Sequence, residues 1–599
     1  MLSLEPLTFC RPPVTARGVR PAWKPRTLGK RRGLELKRLA ASFASRVKRR
    51  RVKTPRTSMN TVRSFNRVPR LACVGGIIAL LLVLPVQTFG GRDAGQPQWI
   101  LVTAPAFREE VGPLIDQRRA DGFNVAVISA PEQLAQTATT PLLARIRELR
   151  AAARGPSYLL LFGAVSAPDS ASAAQTVVPP LRGTVGRMRD QPQDYAYGLP
   201  DESGAPTLAV GRLPARTTGE ARALVRKTLR FERDREPGRW QNRLVLLAGN
   251  PGGGPLAEMM IEPATLPRLQ RLDPAWRLDA IFNNSGSRFY LPPTRAHDAA
   301  LRSFEEGEVF ALFLGHSAPP ALWLAGTNFL TGDELAGLKI PHGAGVFFTC
   351  GCYACQWRGE GGEGYGVAAL RNPDGPVAVI GASGESYTAA GTLAVDGLLN
   401  QCAKRPFPAR LGEYWLAIQS GLARGPIDDL TFRLYDQFDG SQGRTSLAEQ
   451  RREHLEMWML LGDPALRLPL VPTDLMLMPP PSVRAGQLLT INGELPARLA
   501  NAKVHVTLER PLASVPADLE SPPPSSPDDP GARERLTLAN AKRANTFILS
   551  GRETTAMGTG FTCSLTVPPN LPWSNVVVRA YAATRGDSAL AAISAPVAP

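Results

Sequence analysis

The chain has 599 residues and an ordinary globular composition, with 43% hydrophobic and 20% charged residues. It is therefore long enough for several domains with buried cores. The formal net charge is +18, but residues 1–70 hold 20 of the 70 basic residues and only 2 of the 52 acidic ones, which leaves 50 of each sign in the remainder. The main body lacks the positive field that phosphate binding needs, so we expect no nucleic-acid partner.

Residues 71–91 form an uncharged segment that is strongly apolar between Cys73 and Val86. This apolar centre is shorter than the ~20 residues of a membrane-spanning helix and is typical of a signal peptide. Three arginines in the preceding residues supply the positive flank that a signal peptide requires.

The position of Met59 suggests where translation begins. We predict a signal peptide over residues 59–91, with residues 1–58 as a basic extension that a mis-assigned start would explain. The alternative is an uncleaved signal anchor behind a genuine basic tail, which would be the membrane contact of the protein. Either interpretation predicts an exported protein that is secreted, periplasmic or on the cell surface of a bacterium.

From residue 98 onward, short apolar runs such as "QWILVT" and "YLLLF" alternate with stretches of helical periodicity. Continuous apolar runs of this length predict parallel strands with helices on both faces of the sheet. The pattern starts again near residue 240. We therefore predict an α/β fold of two side-by-side units with mostly parallel sheets, over residues 92–238 and 239–470.

Residues 471–599 alternate polar and apolar positions instead. This pattern predicts a small antiparallel β-sandwich, similar to an immunoglobulin-like domain, that would attach the protein to a cell surface. Residues 514–536 are rich in Pro, Ser and Asp and predict a disordered insertion within it.

Three of the seven cysteines, Cys350, Cys352 and Cys355, lie within six residues. A zinc site would use all three with His342 as the fourth ligand. Disulfide pairing of Cys350 with Cys352 is geometrically poor inside a strand pattern. The third interpretation is one nucleophile at the carboxyl end of a strand, which needs a histidine at the end of a neighbouring strand.

The chain contains such a histidine. The apolar run "VFALFLGH" ends at His316, and the run "GVFFTCGC" ends at Cys352, 36 residues later. Because the carboxyl ends of parallel strands meet at one edge of a sheet, this pair favours nucleophilic catalysis over a metal site. We accordingly predict no bound metal at the cysteines.

Two strands that end in these residues resemble the layout of the caspase, legumain, separase and gingipain peptidases. Residues 96–475 resemble the gingipain family, peptidase family C25, in particular. The resemblance rests on further segments in the family's order, namely "TLAVGRLPARTTGEARALVRKTLRFERD", "WLAGTNFLTGDELAGL", "CYACQW", "GPVAVIGASGESYTAAG" and "WMLLGDPALRLPLVPT". It implies two caspase-like α/β subdomains, an immunoglobulin-like domain and cysteine endopeptidase activity on protein or peptide substrates.

The resemblance implies that Cys352 is the nucleophile and His316 the general base and acid of a thioester mechanism. It also implies that the backbone N–H groups of Ser317 and Cys352 form the oxyanion hole. Ser317 and Cys355 are departures, because both stand where the family has glycine. Cys355 is either inert or able to form a disulfide with Cys352 under oxidation.

The resemblance places Tyr387 and Trp323 in the substrate-binding walls. The family's acidic S1 group has no clear counterpart, and Asp194, Asp201 and Glu202 are the candidates in the corresponding loop. We predict Glu202 as a substrate-binding residue and Asp194 as the acid that orients His316.

We expect no cofactor, although the resemblance suggests structural calcium. The alternative function is a catalytically inactive gingipain-like protein that binds at the surface or in secretion.

Overall fold

The computed structural model describes residues 95–599, so the predictions for residues 1–58 and 59–91 lie outside the described residues. Within the described residues, the helices are all too short or too polar to cross a membrane. The description omits residues 131–135, 167–169, 186–187, 200–205, 235, 239, 250–254, 325–326, 358–361, 439–440, 442, 479, 513, 515, 517, 521–528, 530 and 599.

Strands and helices alternate through the first part of the α/β body. Its elements are β1 (Gln98–Thr103), α1 (Gly112–Ala120), β2 (Asn124–Ser129), α2 (Gln136–Ala152), β3 (Ser157–Phe162), α3 (Ser170–Thr176), β4 (Leu181–Val185), β5 (Met188–Gln193), β6 (Ala209–Leu213) and α4 (Thr218–Arg233).

The second part continues the alternation and carries both predicted catalytic residues. Its elements are β7 (Arg243–Ala248), α5 (Pro255–Leu269), β8 (Arg277–Phe282), α6 (Pro293–Glu305), β9 (Glu308–Leu314), β10 (Ser317–Ala318), β11 (Ala321–Leu324), β12 (Thr327–Thr331), α7 (Gly332–Gly337), β13 (Ala344–Thr349), α8 (Tyr365–Arg371), β14 (Ala378–Ala382), α9 (Thr388–Cys402), α10 (Leu411–Arg424), α11 (Asp429–Phe438), α12 (Leu447–Met457) and β15 (Trp458–Leu461).

One ten-stranded sheet forms the centre of this body, in the order β2-β1-β3-β6-β15-β14-β13-β9-β7-β8. All neighbouring pairs are parallel except β14 and β15, which are antiparallel. Strands β1, β7 and β13 are buried along their whole length, as expected for apolar runs covered on both faces.

The structure therefore confirms an α/β fold with a large, mostly parallel sheet, but the two predicted units share that sheet. The reason is β15, which pairs with β14 on one side and meets β6 on the other through Leu461 and Arg212. Because β15 lies between the two halves, the edge strands β14 and β6 both have a hydrogen-bonding neighbour and are not left exposed. As a consequence, strand direction reverses once, and the carboxyl ends of the two halves point to opposite edges of the sheet.

The C-terminal part consists of two antiparallel sheets and one helix. Its elements are β16 (Met476–Met478), β17 (Leu488–Glu494), β18 (Lys503–Glu509), α13 (Ala532–Asn545), β19 (Ile548–Thr555), β20 (Gly560–Thr566), β21 (Asn575–Thr584) and β22 (Asp587–Pro596).

The two sheets, β16-β17-β20 and β19-β18-β21-β22, share one apolar core. The similarity of these sheets to an immunoglobulin-like domain stays a prediction. Helix α13 was not predicted, and it begins inside the span 514–536 that was predicted to be disordered; residues 521–528 of that span lie outside the described residues.

A buried arginine fastens the C-terminal sheets to the α/β body. Arg579 binds both carboxylate oxygens of Glu509 at 3.0 and 3.1 Å. It also donates to the carbonyl oxygens of Pro274, Ala275 and Trp276 at 2.7, 3.0 and 3.2 Å. Burial by itself would raise the pKa of Glu509, but the charge of Arg579 lowers it, so the pair is ionised.

We predict that Arg579→Ala destabilises the protein by roughly 3–5 kcal/mol, because Glu509 would be left as an uncompensated buried charge. Urea denaturation followed by tryptophan fluorescence measures the change. The double variant Arg579→Met/Glu509→Leu should recover most of the loss. Equal midpoints for the wild type and Arg579→Ala would contradict this role.

Candidate active site

The register of two neighbouring strands brings His316 and Cys352 together. In the parallel pair β9–β13, Thr349 lies opposite Phe313. The last hydrogen bond of this ladder runs from the N–H of Cys350 to the carbonyl oxygen of Phe313 at 2.9 Å. His316 lies three residues after Phe313, and Cys352 lies three residues after Thr349. Neighbouring strands are ~4.8 Å apart. Both residues line the same cavity at this edge of the sheet.

Close packing around Gly351 fixes the backbone of the proposed nucleophile. A Cβ atom at Gly351 would lie 2.1 Å from Ser317 Oγ and 2.9 Å from the hydroxyl oxygen of Tyr365. The hydroxyl of Ser317 donates to the carbonyl of Cys352 at 2.9 Å, and it is 3.2 Å from the hydroxyl of Tyr365. The side chain of Ser317, one of the departures from the family pattern, thus links the segment after His316 to Cys352.

The loop after β14 contacts the sulfur of Cys352. The N–H of Ser386 donates to Cys352 Sγ at 3.3 Å. This contact between a backbone N–H and the sulfur holds Cys352 Sγ beside the loop. Ser386 is the last residue of the segment "GASGES", which begins in β14, and sequence reasoning did not assign this role to it.

A buried histidine, His454, holds the next residue of that loop. The N–H of Tyr387 donates to His454 Nε2 at 2.7 Å, and the ring centroids of the two residues are 5.5 Å apart. His454 Nδ1 donates to the carbonyl of Gln450 at 2.6 Å. Burial lowers the pKa of His454 to about 4, so the ring is neutral and can accept at Nε2. Sequence reasoning missed His454 because it lies in helix α12, without a motif.

The other two clustered cysteines have different surroundings. Cys350 packs against the core and lines the cavity, and its thiol lies 3.8 Å from the carbonyl oxygen of Gly391. Cys355 is buried in the core, where its N–H donates to the carbonyl of Ala382 at 2.9 Å. Burial raises the pKa of both thiols, which keeps them protonated and poorly nucleophilic.

The zinc alternative does not fit the structure. His342 precedes β13, whereas the three cysteines follow it, so a six-residue strand separates them. His342 Nδ1 pairs instead with Asp234 at 2.8 Å. Within the described residues, no group of three or more His, Cys, Asp or Glu side chains is placed to bind a metal.

The prediction that Asp194 orients His316 is wrong. Both carboxylate oxygens of Asp194 bind the buried guanidinium of Arg212, each at 2.7 Å. Arg212 lies in β6, which is four strand spacings from β9, or roughly 19 Å across the sheet. The reason is the shared sheet, in which β13, β14 and β15 separate the Asp194 loop from His316.

The predictions for the three substrate-binding residues have different outcomes. Tyr387 is buried and lines the same cavity as Cys352. The N–H of Trp323 donates to the carbonyl of His316 at 2.9 Å, but Trp323 is not among the residues that line the cavity. Glu202 lies outside the described residues.

Comparison with known proteins identifies a family and similar solved structures. The family model for Peptidase family C25 matches residues 92–469. The structure titled "Crystal structure of the Arg specific cysteine proteinase gingipain R (RGPB)" is similar at 14% identity and a TM-score of 0.45, covering 85% of this chain and 99% of that one. A structure titled "Structure of Protease" is similar at 14% identity and a TM-score of 0.47, covering 83% and 97%. A search of curated proteins found no significant match.

We predict that Gly351→Ala lowers kcat/KM about 100-fold, because the new Cβ would clash with Ser317 Oγ and displace Cys352. Peptide hydrolysis measures the loss, and circular dichroism confirms that the variant is folded. The double variant Gly351→Ala/Ser317→Gly removes the closest clash and should regain part of the activity. If the double variant is no more active than the single one, the clash is not the cause.

We predict that His454 makes the protein less stable as the pH falls from about 6.5 to about 4. Its pKa is lowered from 6.5 to about 4 in the folded state, so over this range the unfolded chain takes up a proton that the folded chain does not. The free energy of unfolding should fall by up to about 3 kcal/mol from this residue. Urea titrations at several pH values should show a shallower decline for His454→Gln. Parallel declines would contradict the assignment.

Proposed function

Because the chain belongs to peptidase family C25, we propose that it is an exported cysteine endopeptidase with a Cys352–His316 dyad. The observation that carries the proposal is that these two residues follow the neighbouring strands β9 and β13, three residues after their last pair, and line one cavity. The contact between the N–H of Ser386 and Cys352 Sγ supports it further.

The proposed reaction begins when His316 takes the proton of the Cys352 thiol. The sulfur attacks the carbonyl carbon of the scissile bond, and the electron pair of the C=O bond moves to oxygen. The backbone N–H groups of Ser317 and Cys352 stabilise this oxyanion, and each such donor is worth roughly 3–4 kcal/mol in comparable enzymes. Collapse of the intermediate breaks the C–N bond, and His316 protonates the leaving amine. Water, deprotonated by His316, then hydrolyses the thioester.

The serine at position 317 is compatible with this mechanism. Its side chain is directed to the carbonyl of Cys352 and the hydroxyl of Tyr365 rather than to open solvent. Ser317 is fully buried, so its hydroxyl has these partners within the protein. A serine in this position holds the turn between β9 and β10 while it keeps the backbone N–H that the oxyanion hole requires.

Export is proposed from the apolar segment at residues 71–91 together with the basic residues before it. Cleavage after this segment would release the α/β body and the C-terminal sheets as one mature protein. The C-terminal sheets are the proposed means of attachment to a cell surface, and calcium is a proposed structural ion from the family resemblance alone.

We predict that a peptidyl chloromethyl ketone labels Cys352 of the folded full chain, because its thiol is the activated one. Intact-mass analysis and peptide mapping should find one adduct in the wild type and in Cys563→Ala, and none in Cys352→Ala. Cys563 is a matched control because it is a buried free cysteine in the C-terminal sheets. Peptide hydrolysis by Cys352→Ala should fall at least ~10³-fold.

Folded wild-type protein that takes no label from reagents with any P1 side chain would contradict this function. That result would favour the inactive surface or secretion-associated binding protein. Labelling of Cys350 in place of Cys352 would contradict the assignment of the nucleophile.

A further inference from the structure

The cavity beside Cys352 has a volume of about 190 Å³ and an apolar interior. Cys352, His316 and Tyr387 lie in its wall. Of the described residues, seven large aliphatic side chains from β7, β9 and helices α5, α9 and α11 also line it: Leu246, Leu312, Leu314, Leu269, Val395, Leu399 and Leu434. A cavity of ~150 Å³ lined by such residues takes up benzene. This cavity is therefore large enough for a phenyl ring or a leucine side chain.

The charges around this cavity disfavour a cationic side chain. Of the described residues that line it, Arg268 carries a permanent charge, and no Asp or Glu is among them. Asp396 binds Arg268 Nε at 3.0 Å and Arg271 at 2.5 Å, so one carboxylate faces two guanidinium groups. A buried cation is costly unless a carboxylate pairs with it. Among the described residues that line the cavity, none would pair with a lysine or arginine side chain that entered it.

From this lining we propose that the cavity is the S1 pocket and that the enzyme cleaves after large apolar residues, such as Phe, Leu or Met. The proposal rests on the peptidase function proposed above. In the thioester, the P1 residue is the one joined to Cys352 Sγ, so its side chain lies next to that sulfur. The cavity that has this sulfur in its wall is the space available to that side chain.

Gly391 offers a direct way to change the pocket. It lines the cavity on helix α9, and a Cβ there would lie 3.4 Å from Cys350 Cβ and 3.6 Å from Cys350 Sγ, which are ordinary contact distances. Alanine therefore fits at this position, whereas the longer side chain of leucine would occupy the cavity. Gly337 is a matched control, because it ends helix α7 and a Cβ there would have no atom within 4 Å.

The experiment uses the full chain and a peptide library that varies the P1 residue, with mass spectrometry of the products. We expect kcat/KM for P1 Phe, Leu or Met to exceed that for P1 Arg or Lys at least tenfold. The ratio of kcat/KM for P1 Phe to that for P1 Ala should fall modestly in Gly391→Ala and about 100-fold in Gly391→Leu. Gly337→Leu should keep the wild-type ratio.

The outcomes separate the two proposals. Cleavage that prefers P1 Arg or Lys overturns the apolar pocket and leaves the peptidase function standing. Cleavage before apolar residues rather than after them overturns the assignment to S1. An unchanged Phe-to-Ala ratio in Gly391→Leu shows that P1 binds elsewhere. Folded protein that cleaves no peptide in the library overturns the peptidase function, and the pocket assignment with it.

Discussion

The parallel pairing of β9 with β13 is the constraint on which the site depends. Its last pair is Phe313 with Thr349, and His316 and Cys352 each follow three residues later and line one cavity. A glycine has to precede Cys352, because the hydroxyl groups of Ser317 and Tyr365 fill the space where a Cβ would lie. The position of the nucleophile is thus set by packing as well as by pairing.

A second set of contacts comes from outside these strands. The loop after β14 places the N–H of Ser386 on the sulfur of Cys352, and His454 in helix α12 holds the N–H of Tyr387. His454 can accept this hydrogen bond only while its ring is neutral. Burial lowers the pKa of His454 to about 4, which keeps the ring neutral. The site is therefore assembled from four separate segments of the chain, which the hydroxyl of Ser317 and the backbone N–H groups of Ser386 and Tyr387 join.

Strand β15 explains why the α/β body has one shared sheet and why Asp194 does not orient His316. Asp463, just after β15, accepts hydrogen bonds from Trp99 Nε1 at 3.1 Å and from Arg118 at 2.8 Å, all in the buried interior. These contacts, with the pairing of β15 to β14 and β6, join the two halves in one sheet. The same arrangement gives Asp194 a partner in Arg212 and keeps it far from His316.

The sequence by itself was enough to predict the α/β alternation, the family and the two strand ends that carry His316 and Cys352. Buried parallel strands are continuous apolar runs, so a polar residue directly after such a run lies at a sheet edge. Only the tertiary structure decided that the halves share a sheet, that Cys350 faces a cavity and that His454 supports the site. Strand order, strand direction and contacts between distant residues determine these features, and periodicity along the chain does not record them.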